Sequence, residues 1–302
     1  SSPTCSFQGL TISRGLTATT IHPQEKFMKW ALKIAAKIVL SRLPIPYIWW
    51  QSIGMFRHGR MDHADYALKI FRLHSTRAYP QGIPYGTSML ELGPGDSIAT
   101  AIIASAHGAN DTWLVDVGSF ARRDIPFYKI LALNLAQRGL PVPDLTNAGS
   151  FDDILEKCHT RYLIGGLRSL KEIPDGTVDF AWSHSVLEHV RKHEVADTLH
   201  ELFRIMRPGA YTSHNIDYQD HLGGKLNNLR FSERVWEAAF FATKMHEIFR
   251  SVGFKIISEN YGKWPNLPIN RKSISRSFTA LTDAELINRT SSILLRKPDG
   301  GV

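Results

Sequence analysis

Short apolar segments alternate with amphipathic segments through the last two-thirds of the chain. Strands and helices that follow one another in this way are typical of a parallel sheet with helices on its faces. We therefore predict an α/β domain over residues 85–302. Its predicted strands are residues 88–92, 112–115, 161–164, 178–183, 210–215, 254–259 and 291–296.

The first 84 residues have a different pattern, and we predict that they form an N-terminal arm and a helical cap. Residues 1–22 are polar and show little periodicity. In residues 23–42 the apolar side chains recur at helical spacing, with four lysines toward the other side, and Pro44 ends the helix. A second helix is predicted over residues 62–74, before a linker rich in proline and glycine.

The net charge of +8 belongs to this N-terminal part. Residues 1–88 contain 11 basic and 3 acidic side chains, whereas the rest of the chain contains 25 of each. A basic amphipathic helix can pack on its own domain, lie on an anionic membrane or bind nucleic acid. We favour packing, keep membrane contact through residues 23–50 as an alternative, and expect no nucleic-acid partner because no nucleic-acid-binding module is present.

Composition suggests a cytoplasmic protein, and peripheral contact with a membrane is kept as an alternative. The 302 residues include only two cysteines, which are too few for a disulfide framework. No apolar run reaches the roughly 18 residues that a membrane-spanning helix needs. The N-terminus has no signal-peptide pattern.

A glycine-rich turn is the most informative motif. Residues 89–97, Met-Leu-Glu-Leu-Gly-Pro-Gly-Asp-Ser, predict a strand that ends in a tight turn before a helix. Residues 113–116, Trp-Leu-Val-Asp, predict a second strand that ends in a carboxylate. This order is typical of half of a nucleotide-binding fold. A dinucleotide fingerprint would have a third glycine where this chain has Ile98, which argues against NAD.

The segment from Leu90 to Ser97 resembles motif I of the class I S-adenosylmethionine (SAM) methyltransferases, with Glu91 as the acid before the glycines. Residues 173–183, 186–190 and 202–210 resemble later segments of the same family in the right order. The resemblance implies a Rossmann-like, mostly parallel seven-stranded sheet whose last strand is antiparallel, and SAM as the cofactor. It also implies that an insertion at about 217–245 shapes the acceptor pocket.

The resemblance assigns cofactor roles to particular residues. The turn around Gly93 should lie along the methionine part of SAM, Asp116 should hold the ribose, and the backbone of Gly166 and Leu167 should bracket the adenine. Many relatives have an aspartate where this chain has Gly166. The expected cofactor-binding residues are Glu91, Gly93, Pro94, Gly95, Asp116, Gly166, Leu167 and Ser183.

Residues 213–221 place two histidines and two acids at the predicted acceptor edge. One interpretation is a His–Asp general base, a second is a metal bound by His214, Asp217 and His221, and a third is a polar loop. We predict no metal and expect Glu188 and His189 to be structural. The expected catalytic residues are His214, Asp217, His221 and His184.

The function that we predict is O-methylation of a hydroxyl on a small molecule or glycan, with a histidine as general base. Transfer to carbon or nitrogen of a specialised metabolite is the alternative within the same enzyme class. An NAD-dependent oxidoreductase and a catalytically silent binding protein are less favoured.

Overall fold

A computed structural model describes residues 61, 63–220, 224–232 and 242–300. The predicted arm at 1–22, the predicted helix at 23–42 and the membrane-contact segment at 23–50 lie outside the described residues, as does His221.

The described part is built on one seven-stranded sheet, in the order β3-β2-β1-β4-β5-β7-β6. Strands β1 to β5 pair in parallel, and β7 is antiparallel to both β5 and β6. This confirms the predicted seven-stranded, mostly parallel, Rossmann-like methyltransferase sheet. The strands are β1 (Met89–Leu92), β2 (Thr112–Val115), β3 (Thr160–Leu163), β4 (Val178–His184), β5 (Met206–Asp217), β6 (Lys255–Lys263) and β7 (Asn288–Arg296).

The helices of the described residues connect these strands and cover both faces of the sheet. They are α1 (Ala64–Ala78), α2 (Ala99–Ala106), α3 (Ile125–Ala136), α4 (Phe151–Lys157), α5 (Leu167–Glu172), α6 (Val195–Ile205), α7 (Ala242–Val252) and α8 (Asp283–Leu286). None of the helices in the described ranges is long and apolar enough to cross a membrane.

Two apolar cores lie on opposite faces because successive strand residues point to opposite sides. One core contains Phe180 and Trp182 of β4 with buried side chains of α1 to α4. The other contains Ala181 with buried side chains of α5, α6 and α7. Alternate residues of β4 and β5 therefore face one core or the other. The position of each site histidine along its strand determines which core its side chain faces.

Helix α1 packs directly on the sheet domain. Its Phe71 contacts Trp182 edge-to-face, with 5.6 Å between ring centroids, and its Tyr79 C-cap contacts Phe180. The helix extends one turn beyond the predicted residue 74, because Ser75 and Ala78 are also buried. The predicted division between a cap at 1–84 and a domain at 85–302 stays a prediction.

Strand β5 is longer than predicted, starting at Met206 instead of residue 210. The segment Arg207-Pro208-Gly209 has the composition of a turn, but Val178 of β4 pairs with Met206 across an irregularity in register. At the other end, antiparallel pairing of Asp217 with Thr290 extends the strand past residue 215.

Candidate cofactor and acceptor site

The turn after β1 is a backbone cradle. Gly93 and Gly95 both adopt positive φ, at 69° and 66°, a region that side-chain-bearing residues rarely adopt. A Cβ on Gly93 would lie 2.4 Å from Cγ2 of Val186, so only glycine fits between the turn and the loop after β4. The cradle therefore lies where β1 and β4 end side by side.

Asp116 follows β2 at the same edge of the sheet. Its carboxylate accepts a hydrogen bond from the Gly95 N–H at 3.0 Å and another from the Val117 N–H at 2.7 Å, and the residue is 8% exposed. The acid is thus held against the glycine turn. A carboxylate in this position can accept hydrogen bonds from ribose hydroxyls.

Glu91 lies inside the protein, at 2% exposure. Burial raises the pKa of its carboxyl to about 7. Its side chain therefore packs beneath the turn, among other buried groups. The role of Glu91 as a cofactor-binding residue stays a prediction.

The turn after β3 lies beside a small, exposed apolar surface. The Gly166 N–H donates to the backbone carbonyl of Asp116 at 2.8 Å, and Gly166 has a φ of 55°. A Cβ there would lie 2.9 Å from Cγ1 of Val117, whose side chain is 77% exposed. Leu167 then begins α5. An exposed valine beside a bare backbone can accommodate the flat face of a base, and the adenine position stays a prediction.

These features fit SAM. The glycine cradle leaves no Cβ in the way, Asp116 offers acceptors for a sugar diol, and Val117 offers apolar surface for the base. Ile98, at the position of the third glycine in a dinucleotide fingerprint, is fully buried, and its N–H donates to the Tyr128 hydroxyl.

Ser183 departs from expectation. Its side chain is fully buried on the face that carries α5 to α7, and its hydroxyl is hydrogen-bonded to Nδ1 of His214 at 2.8 Å. Because this hydroxyl is inside the core, it does not face the cofactor cradle.

His214 is a core residue in the structure. It is 0% exposed, its Nε2 is hydrogen-bonded to the Thr212 hydroxyl at 2.9 Å, and its ring stacks on Phe249. Burial, followed by the charge of Arg77, lowers its pKa to about 3. With both ring nitrogens engaged and no exposed surface, His214 cannot reach an acceptor in this conformation. Its assignment as the base is therefore corrected.

Asp217 does not form the expected pair with His214. The two residues are three apart in β5, so their side chains point to opposite faces. The Asp217 carboxylate instead accepts hydrogen bonds from the backbone and side chain of Gln219. The same geometry rules out joint metal binding by His214 and Asp217. Within the described ranges no group of three His, Cys, Asp or Glu side chains could hold a metal.

His184 lies where the sequence predicted, at the carboxyl end of β4, and is partly exposed. Leu92 pairs with Ser183. His184 and Gly93 are therefore the next residues along neighbouring strands, which places His184 beside the cradle.

A partner of His184 was missed from the sequence. Nε2 of His74 lies 3.2 Å from Nδ1 of His184, and Nδ1 of His74 lies 2.9 Å from the Ser213 hydroxyl. His74 is fully buried on α1, a position that the sequence analysis did not connect with the site. The sequence analysis placed residue 74 at the end of a predicted helix and gave no sign of the strand that it meets.

A second missed group lies at the far side of β7. Nε2 of His246 of α7 is hydrogen-bonded to Oε1 of Glu259 of β6 at 2.6 Å, and the Tyr261 hydroxyl lies 3.3 Å from the same ring nitrogen. The sequence analysis considered a His–carboxylate pair at residues 214 and 217, and the structure has such a pair at His246 and Glu259 instead. Two strands separate it from β4, and it is not beside the cradle.

Comparison with known proteins agrees with this geometry. Residues 90–213 match the sequence model of a family described as "Methyltransferase domain". This segment is a class I methyltransferase domain. The family match implies S-adenosylmethionine as its cofactor, as expected. No curated protein matches the sequence.

Several solved structures resemble this chain. A SAM-dependent methyltransferase from Archaeoglobus fulgidus is 12% identical, with 78% of this chain and 95% of that chain covered and a TM-score of 0.45. A SAM-dependent methyltransferase from Methanosarcina mazei is 16% identical, with coverages of 72% and 94% and a TM-score of 0.43. The [4+2]-cyclase SpnF is 16% identical, with coverages of 78% and 82% and a TM-score of 0.45. Likenesses this distant carry no argument about the reaction.

Proposed function

We propose that the protein transfers the methyl group of SAM to a hydroxyl oxygen of a small molecule or glycan, and that His184 contacts this oxygen. The observation that supports the proposal is the position of His184. Of the three expected catalytic residues that the structure describes, it is the one at the end of a strand that borders the cradle, and it is partly exposed.

The division of labour follows from methyl-transfer chemistry. Bound SAM supplies a methyl group that is already activated on a sulfonium. The protein has to align the acceptor with that methyl group and exclude competing nucleophiles. The glycine cradle and Asp116 set the donor side, and His184 orients the acceptor oxygen through one hydrogen bond.

The state of His184 suits this role. Its pKa is lowered from the usual 6.5, mainly by burial and further by the charge of Arg77. The ring is therefore neutral at pH 7 and can make either a donating or an accepting contact at Nε2. Among the described residues, no hydrogen-bond partner competes for that nitrogen.

The test is a methyl-transfer assay with SAM labelled in the methyl group and fractionated small-molecule and glycan extracts as acceptors. The product is analysed by NMR, because carbon bound to oxygen, nitrogen or carbon gives distinct methyl signals. An O-methyl product supports the proposal. An N- or C-methyl product, or no product from any fraction, contradicts it.

Two variants test the residue. We expect His184→Ala to lower turnover by at least tenfold and to leave SAM affinity unchanged. His193→Ala is the matched control, since His193 has an exposed side chain in a loop. Equal activity of the two variants would remove His184 from the acceptor site.

A further inference from the structure

Four side chains form a continuous hydrogen-bonded chain on the face of the sheet covered by α1. The Arg77 guanidinium donates through Nη1 to the Ser213 hydroxyl oxygen at 2.8 Å. That hydroxyl lies 2.9 Å from Nδ1 of His74, whose Nε2 lies 3.2 Å from Nδ1 of His184. The chain thus runs from a half-buried cation to the ring beside the cofactor cradle.

The direction of the chain follows from what each group can donate. Arginine has donors only, so Ser213 Oγ must accept from it. Within the described residues, the hydroxyl hydrogen of Ser213 has one acceptor, Nδ1 of His74. A neutral His74 that accepts at Nδ1 carries its hydrogen on Nε2 and donates it to His184. A neutral His184 that accepts at Nδ1 then carries its own hydrogen on Nε2.

The surroundings keep both rings neutral. Burial lowers the pKa of His74 well below its ordinary value, and the neighbouring charges of His184, Arg77 and His214 lower it further. In the described ranges no carboxylate forms an ion pair with Arg77, His74 or His184. A hydrogen bond with the backbone of Ser213 raises the pKa of His74, but burial outweighs it. The charge of Arg77 lowers the pKa of both rings.

We infer that Arg77, Ser213 and His74 hold His184 in the Nε2–H form, so that His184 meets the acceptor as a hydrogen-bond donor and not as a base. Arg77, Ser213 and His74 are positioning residues in this arrangement. The inference rests on the proposed function for the meaning of the contact, although the tautomer itself is a property of the free protein.

This inference narrows the acceptor class. An oxygen that accepts a hydrogen bond from His184 must bring a lone pair and no proton that has to be removed there. Ionised hydroxyls such as phenolate, enolate and carboxylate oxygens meet this condition, whereas the neutral alcohols of a glycan do not. Within the proposed function, the inference therefore selects an ionised oxygen of a small molecule and excludes a glycan alcohol. The oxygen lone pair forms the new O–C bond as the C–S bond breaks, and its electrons remain on sulfur. The products are an ether or ester and neutral S-adenosylhomocysteine.

The direct test is NMR of the free protein labelled with ¹⁵N in its histidine rings, which reports the protonation of each ring nitrogen. We expect His74 and His184 to be neutral at pH 7 with hydrogen on Nε2. The signals are assigned by their loss in His74→Gln and His184→Gln. His200→Gln, on the outer face of α6, is the matched control. Hydrogen on Nδ1 of His184 would overturn the inference.

A second variant tests the link. The Ser213→Ala variant lacks the hydroxyl that fixes the direction of the hydrogen bonds. We expect His74 to show a mixture of tautomers in this variant, while the other histidine signals stay in place. If both rings keep a single Nε2–H form in this variant, the chain does not set the tautomer. These NMR results do not depend on methyl transfer. The tautomer inference can therefore hold even if the proposed function is wrong.

Catalysis gives a separate readout. The side-chain amide of glutamine can donate near the position of Nε2 but cannot act as a base. We expect His184→Gln to keep turnover within about tenfold of the wild type on phenol or carboxylic acid acceptors. Loss of general-base catalysis would cost about 10²–10⁴-fold. A loss of that size in His184→Gln, with the fold intact, would contradict the donor role.

Discussion

Replacing His214 tests whether this histidine stabilises the core or takes part in catalysis. In His214→Ala, the hydroxyls of Ser183 and Thr212 each lose the partner that they have at 2.8 and 2.9 Å. A buried hydroxyl left without a partner costs about 1–3 kcal/mol. The ring also leaves a gap against Phe249. We expect a loss of about 4 kcal/mol, or roughly 8–16 °C in the melting temperature at about 2–4 °C per kcal/mol.

The pH dependence of stability gives an independent check. His214 has a pKa of about 3 in the folded protein, against 6.5 for an unperturbed histidine. Between these values the unfolded chain binds one more proton, so stability is present above pH 6.5 and is lost as pH falls. This one group contributes about 1.4 kcal/mol per pH unit. His214→Phe keeps a packed ring without a titrating group, and its acid slope should be shallower by that amount.

Urea unfolding from pH 4 to pH 8 measures both effects, with His200→Ala as the control on an exposed helical position. SAM affinity, measured by calorimetry, should change little in the folded variants. Unchanged stability and an unchanged acid slope, together with lost turnover, would refute the assignment of His214 to the core.

Two further predictions follow from buried or crowded positions. Gly93→Ala should weaken SAM binding and destabilise the fold, since the added Cβ would lie 2.4 Å from Val186. Gly139→Ala is the control, because Gly139 also has a positive φ but has open space around it. Thermal unfolding of this control measures the backbone cost alone, about 1–2 kcal/mol. Glu188 is buried, which raises its pKa from 4.5 to about 8, so its contribution to stability is lost as pH rises through that window. The free energy of unfolding of Glu188→Gln, measured with urea, should therefore rise relative to that of the wild type between pH 5 and pH 8. A difference in this free energy that does not change with pH would contradict a buried, protonated carboxyl.

The periodicity of the chain predicted the sheet well. Local patterns identified the turn at Gly93 and the acid at Asp116, because strand, turn and helix are close together in sequence there. The cap of α8 is local in the same way, since the Thr282 hydroxyl accepts a hydrogen bond from the Glu285 N–H. These features depend on neighbours within a few residues.

The acceptor side could not be predicted in the same way. His214 and Asp217 are near each other in sequence but point to opposite faces of β5. His74 and His184 are 110 residues apart and nevertheless share a hydrogen bond. Strand alternation, once the register of β4 and β5 is known, explains both outcomes. Their pairing could not be read from spacing along the chain.

We propose that SAM binds in the cradle after β1, with its ribose hydroxyls hydrogen-bonded to Asp116. Calorimetric titration of SAM into the wild type, Asp116→Ala and the exposed-helix control Asp152→Ala tests it most directly. We predict binding to the wild type and to Asp152→Ala, and a loss of at least tenfold in affinity for Asp116→Ala. Equal SAM affinity for all three proteins, or binding of NAD in place of SAM, would contradict the account.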